Sequence, residues 1–241
     1  RFAPDLGPTH DIPAPDMGTN EKIIDYMVGE YKRIHPGQEY LGSFTGKSIE
    51  NGGARGRKEA TGRGVHFSYE WLMEEGLERI QALSSTRSLP EKQKEVLLSL
   101  KKKQASGTPL RMAVQGFGNV GSIAALEAVE DAQNSVVIAV SDVKVTLYNE
   151  EGLDIHKLIQ HQRRQGLLPN TEEELQEVGI TAKILSPKEI LTLDMDILFL
   201  AAAENQIIET NMKEIKAPLI VEGANAPISQ HADAYLNEHG V

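Results

Sequence analysis

Three glycines hold the middle of this chain to a narrow set of conformations. They stand in the run Gly116-Phe117-Gly118-Asn119-Val120-Gly121, directly after the apolar stretch Leu110–Gln115 and directly before a helix-patterned stretch. A strand that turns at once into a helix needs backbone freedom at the turn, which Gly116 supplies. Gly118 leaves the backbone bare for a close-approaching phosphate, and Gly121 lets helix and strand pack tightly. The helix N-terminus then offers free amides and a positive dipole to an anion. Alone the pattern is weak, because the chain holds 21 glycines. Its context strengthens it. A second apolar run, Val136–Ser141, ends at Asp142, the distance at which a dinucleotide-binding unit carries an acidic residue for the ribose hydroxyls. A glycine-rich turn followed by an unrelated acidic residue is the weaker reading. A carboxylate at Asp142 repels a 2′-phosphate and so favours NAD. Lys144 is placed to attract that phosphate, which leaves NADP open.

The turn belongs to a longer alternation. Leu110–Gln115, Val136–Ser141, Asp196–Leu200 and Pro218–Val221 are apolar runs of strand length with helix-patterned segments between them. This predicts an α/β fold, a Rossmann-like doubly wound parallel sheet with helices on both faces. Upstream the texture differs. Pro4, Pro8, Pro13 and Pro15 bar regular helix from the first stretch. A helix follows Thr19 or Asn20, both good caps, with Ile23, Ile24, Met27, Val28, Tyr31 and Ile34 on one face, and His35-Pro36-Gly37 ends it. Residues 41–64 are glycine-rich and loop-like. A second helix has Val65, Tyr69, Leu72, Met73, Leu77 and Ile80 on one face. The polar segment 84–109 reads as a surface excursion with helix around Glu91–Lys102. The expected division is residues 1–40 and residues 41–241.

Composition removes several classes of function. The formal net charge is −10, and so acidic a surface repels nucleic-acid backbones. Lys101-Lys102-Lys103 reads as a solvated helix end. No apolar run reaches bilayer length, so no membrane partner is expected. No secretory pattern opens the chain, and Arg1 in place of Met reads as a missing natural start. Cysteine is absent, which excludes thiolate metal sites and cysteine nucleophiles; no metal site is expected, and a reducing cytoplasm is compatible. Gly42-Ser43-Phe44-Thr45-Gly46-Lys47-Ser48 is one residue short of a nucleotide-triphosphate loop and follows no strand.

Several blocks together resemble the glutamate dehydrogenase family within the glutamate, leucine, phenylalanine and valine dehydrogenase superfamily. Asp11-Ile12-Pro13-Ala14-Pro15-Asp16-Met17-Gly18-Thr19 is similar to its catalytic-aspartate motif. Thr45-Gly46-Lys47 with Gly52-Gly53, Ala60-Thr61-Gly62-Arg63-Gly64-Val65, the glycine turn itself, Asp196-Ile197-Leu198 with Ala201-Ala202, and Glu222-Gly223-Ala224-Asn225-Ala226-Pro227 follow in family order. The resemblance implies oxidative deamination of L-glutamate to 2-oxoglutarate and ammonia, with hydride passing to NAD or NADP. It implies that Asp16 shuttles protons, a task for a carboxylate in a dry cleft. It puts Arg57 and Thr61 on the substrate. Thr61, Gly116, Phe117, Gly118, Asn119, Val120, Gly121, Asp142, Ala201, Ala202 and Asn225 fall on the dinucleotide. The bland readings are a turn residue for Asp16, a solvated loop charge for Arg57 and a strand-end turn for Asn225. Residues 1–40 then become the end of a substrate domain with a connecting helix. The family's catalytic lysine lies in a glycine-rich block expected upstream, and more chain is expected beyond Val241, so the fragment is expected to bind dinucleotide without turnover. Leu200, Val145 and Ile228-Ser229 depart from the pattern, and Val145 puts the shape of the adenosine pocket in question. The leucine, phenylalanine or valine branch and a non-catalytic dinucleotide-binding module are the alternatives. A homohexamer and a cytoplasmic setting, or a mitochondrial matrix in a eukaryote, are implied for the full-length protein.

Overall fold

A computed structural model of the chain describes residues 2–16, 19–83, 89–130 and 134–241. Its contacts fall into two compact units, Arg1–Lys58 and Glu59–Val241.

The first unit is built around helix α1, Glu21–Ile34. Of the two expected caps the helix uses Asn20, whose side chain accepts from the Lys22 and Ile23 amides at 3.1 and 3.2 Å. Ile24, Val28 and Tyr31, at helical spacing, are buried with Phe44. Tyr31 and Phe44 meet edge to face at 5.4 Å. The buried stripe is narrower than the sequence suggests, since Met27 and Ile34 are exposed. Phe44 draws the glycine-rich segment back onto α1. The buried Lys47 ammonium closes that loop by donating to the Leu41 and Phe44 carbonyls.

The second unit opens within helix α2, Arg57–Trp71, which continues through a π turn at Leu72–Gly76 into α3, Leu77–Leu83. The expected single helix is thus interrupted. Val65, Tyr69 and Met73 are buried as predicted, while the side chain of Leu77 and residues 84–88 lie outside the described residues. Helix α4 spans Glu91–Ala105. Then the alternation begins: β1 Leu110–Gln115, α5 Gly121–Glu130, β2 Ser135–Ser141, β3 Thr146–Tyr148, α6 Ile155–Gln165, α7 Glu172–Val178, β4 Lys183–Leu185, β5 Ile197–Leu200, β6 Leu219–Glu222 and α8 Gln230–His239.

The sheet order is β4-β3-β2-β1-β5-β6. The four strands expected from sequence, β1, β2, β5 and β6, are the parallel ones. Strands β3 and β4 add an antiparallel edge, so the sheet is mixed where a wholly parallel one was predicted. Each has three residues, too few to display a period. Side chains alternate across the sheet as strand geometry demands. Met112, Val114, Ile197 and Phe199 pack on one face with Ala124 and Ala125 of α5 and Leu158 of α6. Ala113, Leu198 and Leu200 pack on the other with Ile190, Ala232 and Leu236. Helices therefore cover both faces.

Candidate functional site

Strand register brings the carboxyl ends of the parallel strands to one rim. Gln115 pairs with Ser141 on one side and Leu200 on the other, and Leu200 pairs with Glu222. The next residues along each chain are Gly116, Asp142, Ala201 and Gly223. Strand β1 sits where the chain reverses its direction of spread, with β2 on one flank and β5 on the other. That reversal leaves a crevice beyond the strand ends, the place where open α/β sheets take ligands.

The three glycines of the turn do different work. Gly116 has φ +90°, and a Cβ there would lie 2.6 Å from the Ala202 main chain. A Cβ on Gly121 would lie 1.8 Å from the Gly116 carbonyl oxygen. Gly118 faces open space, with nothing within 4 Å of a Cβ. The first two are glycines because the protein is in the way; the protein does not explain the third, and a ligand close to the backbone would. The Gly116 and Phe117 amides both donate to the Ser141 carbonyl, at 2.9 and 2.8 Å. The amides of Gly118, Asn119, Val120 and Gly121 have no acceptor among the described residues. Gly118 and Asn119 are exposed, and Phe117 is buried as an anchor. These amides open α5 and suit an anionic group. The turn thus fits a dinucleotide pyrophosphate.

Helix α2 joins the turn at Gly62, whose Cβ would lie 2.5 Å from Ile123 Cβ and 2.6 Å from the Val120 oxygen. Only glycine permits that approach, and it carries the exposed Thr61 to the start of α5. Gly223 packs on Val65 and Val120, so the segment bearing the exposed Asn225 reaches the same place. Ala201 and Ala202 follow β5 beside Gly116. Thr61, the glycine turn, Ala201–Ala202 and the loop of Asn225 therefore converge.

Asp142 is held more firmly than a residue at a strand end need be. One carboxylate oxygen accepts from the Lys144 and Val145 amides at 2.7 and 3.0 Å, and the other from the Leu168 amide at 2.8 Å. Val145 is buried and returns its carbonyl to the Asp142 amide. Lys144 is exposed, and so is Val143 at 80%. Glu222 on the same rim has its carboxyl pushed above the ordinary range by burial and by the nearby charge of Asp233.

Asp16 and Arg57 belong to the first unit. Asp16 is exposed there, in a turn where Thr19 Oγ1 accepts from the Asp16 amide and donates to the Asp16 carbonyl. The Thr45 amide donates to the Pro13 carbonyl at 2.9 Å, and Gly46, at φ +72°, lets Pro15 close on it. The Thr45-Gly46-Lys47 block thus buttresses the segment leading to Asp16. Met17 and Gly18 lie outside the described residues. Arg57 is exposed at the first position of α2. Two features escaped sequence reasoning: the three amides on Asp142, and a side-chain bond from Gln115 to Gln206 at 2.8 Å. The Leu168 amide and Gln206 have no linear signal, because they lie far along the chain from their partners.

The chain resembles proteins already characterised. The family model described as Glutamate/Leucine/Phenylalanine/Valine dehydrogenase matches residues 87–241. A glutamate dehydrogenase of Thermotoga maritima is 36% identical over 236 residues, which are 98% of this chain and 48% of that protein. The catabolic NAD-specific glutamate dehydrogenase RocG of Bacillus subtilis is 35% identical over 236 residues, 98% of this chain and 46% of its own. Among solved structures, the leucine-bound hetero-hexameric glutamate dehydrogenase of Thermus thermophilus matches with a TM-score of 0.73 and 27% identity, over 100% of this chain and 48% of that one. The glutamate dehydrogenase of Peptoniphilus asaccharolyticus matches with a TM-score of 0.59 and 28% identity, over 100% of this chain and 47% of that one. The chain spans about half the length of the relatives it matches.

Proposed function

This chain belongs to the glutamate/leucine/phenylalanine/valine dehydrogenase family, and from that premise we propose that it is the dinucleotide-binding part of an enzyme that oxidatively deaminates L-glutamate to 2-oxoglutarate and ammonia. The observation that carries the reading is Gly118, bare to solvent in a turn whose following amides have no acceptor among the described residues. When bound, a nicotinamide dinucleotide supplies the hydride acceptor. The chain's own residues supply binding and orientation. Gly116 to Gly121 hold the pyrophosphate on the N-terminus of α5, Asp142 faces the adenosine ribose, and Thr61, Ala201, Ala202 and Asn225 hold the nicotinamide end. Arg57 pairs with a substrate carboxylate, for which a planar guanidinium is suited. Asp16 takes and returns the protons of the amine and of water.

NAD is the preferred cofactor in this reading, because an ionised Asp142 repels a 2′-phosphate, with Lys144 moderating the preference. Glutamate is preferred to leucine, phenylalanine or valine on the strength of the relatives' names. In the whole protein we expect a hexamer, by likeness to the hetero-hexameric relative. Residues 1–40 read as the end of the substrate domain with its connecting helix, and 41–241 as the dinucleotide-binding domain.

Fluorescence titration of the chain with NADH tests the first half, and saturable binding is expected. In the whole protein Asp16→Asn is expected to keep NADH affinity and to lose about 100- to 10,000-fold in turnover, the usual share of a general acid–base group. Loss of NADH binding with turnover intact would overturn the role given to Asp16.

A further inference from the structure

The loops after β5 and β6 are stitched together, and one side chain ties the stitch to β1. The Asn205 amide donates to the Ala226 carbonyl at 3.1 Å, and the Gln206 and Ile207 amides donate to the Pro227 carbonyl at 2.7 and 3.0 Å. Gln206 is also held by its side chain. Its Oε1 accepts from Gln115 Nε2 at 2.8 Å and its Nε2 donates to the Glu204 carbonyl at 3.0 Å. Asn211 Nδ2 donates to the Gln206 carbonyl at 2.9 Å. Gln115, at 5% exposure, is the last residue of β1 and directly precedes Gly116. The stitch holds left-handed backbone: Asn205 has φ +54°, which asparagine tolerates, and Ala226 has φ +46°, which alanine disfavours. Ala226 follows Asn225.

We propose that the Gln115–Gln206 amide pair is a positioning device for the nicotinamide riboside half of the dinucleotide. The proposal rests on the reading above, in which Asn225 meets that half. The pair joins the strand that feeds the phosphate turn to the loop after β5, which is stitched in turn to the loop that carries Asn225, and so sets the distance between the two ends of the ligand before it arrives. A neutral amide suits the place, since it adds no charge beside a pyrophosphate. The loop cannot hold Ala226 at positive φ unaided; the main-chain bonds of residues 205–207 hold it, and Gln115 holds residue 206. Without the pair the loop spends part of its time elsewhere, and a ligand that needs it ordered binds more weakly in proportion to the lost fraction.

A ligand cut short makes the test. ADP carries the adenosine and both phosphates but no nicotinamide riboside. Gln206→Met alone leaves the Gln115 amide unpaired, so it is accompanied by the double variant Gln115→Met/Gln206→Met, in which both members of the pair are apolar and the fold is expected to survive, as the thermal melt checks. NADH and ADP dissociation constants are measured calorimetrically on the chain, with thermal melting alongside. In the double variant NADH affinity is expected to fall about tenfold, as for a loop competent about a tenth of the time, while ADP affinity changes less than about twofold. Unchanged NADH affinity in both variants would overturn the proposal, and so would equal losses for NADH and ADP, which mean a general disturbance of the fold. A wild-type chain that binds neither ligand would instead overturn the dinucleotide reading, and this inference with it.

Discussion

At the scale of the residue, Asp142 carries two duties in the proposed reading, one to the fold and one to the ligand. A carboxylate offers roughly four acceptor positions, and three are used by the Lys144, Val145 and Leu168 amides. What remains is enough for one ribose hydroxyl, so a residue that anchors the β2–β3 turn has room for the adenosine contact proposed for it. The two duties separate in Asp142→Asn. The asparagine oxygen can keep the Lys144 and Val145 amides, but its amide nitrogen then confronts the Leu168 N–H, donor against donor. Stability of the ligand-free chain is expected to fall by roughly 1–3 kcal/mol, the cost of leaving the Leu168 donor unsatisfied, measured by urea unfolding. With the charge gone, the ratio of NADPH to NADH dissociation constants should also narrow. A stable variant with a narrowed ratio would make Asp142 a ligand contact alone. A destabilised variant with the ratio unchanged would make it a structural residue alone.

At the scale of the element, the strand–turn–helix unit from β1 to α5 predicts opposite outcomes for chemically identical substitutions. Gly121→Ala places a methyl 1.8 Å from the Gly116 oxygen, a main-chain atom that cannot step aside. Overpacking of this kind costs about 1–3 kcal/mol, and both melting temperature and NADH affinity should fall. Gly118→Ala meets nothing within 4 Å, and its φ is not positive. Its stability should stay within about 0.5 kcal/mol of wild type, while NADH affinity drops because the methyl occupies the phosphate's approach. If Gly118→Ala binds NADH as well as wild type, the turn is not the phosphate site. Much at this scale was legible in the sequence. The four parallel strands are apolar runs, and the glycines of the turn announce their own roles. What stayed hidden was set by tertiary contact: β3 and β4, three residues each, the π turn at Leu72–Gly76, and the narrower stripe of α1. The candidate site was legible where its residues are consecutive, as in Gly116–Gly121, and not where they pair across the chain, as Gln115 does with Gln206 or Asp142 with Leu168.

At the scale of the whole molecule, the distribution of these residues decides what the chain does alone. The rim loops, the glycine turn, Thr61 and Asn225 all lie within Glu59–Val241, a unit with its own two-faced core, so the proposed dinucleotide site draws its residues from this one unit. Turnover asks for more. Hydride transfer needs the substrate carbon held within reach and oriented, and it needs fixed charge where charge develops. The relatives that share this chain's sequence are about twice its length, and 36% identity covers 48% of the Thermotoga protein. The net charge of −10 bears on the proposed binding: a dinucleotide is itself anionic, so affinity for it would come from the amides and dipole at the start of α5 rather than from the surface at large. The 241-residue chain is therefore expected to bind NADH saturably and to give no glutamate-dependent reduction of NAD, while the whole protein gives both. Stopped assays of NADH formation with glutamate and NAD, run beside the binding titration, measure the difference. Turnover by the chain alone in the ordinary enzyme range, roughly 1–1000 per second, would mean that Asp16, Arg57 and the rim residues suffice for catalysis and that the rest of the relatives' length serves assembly or control.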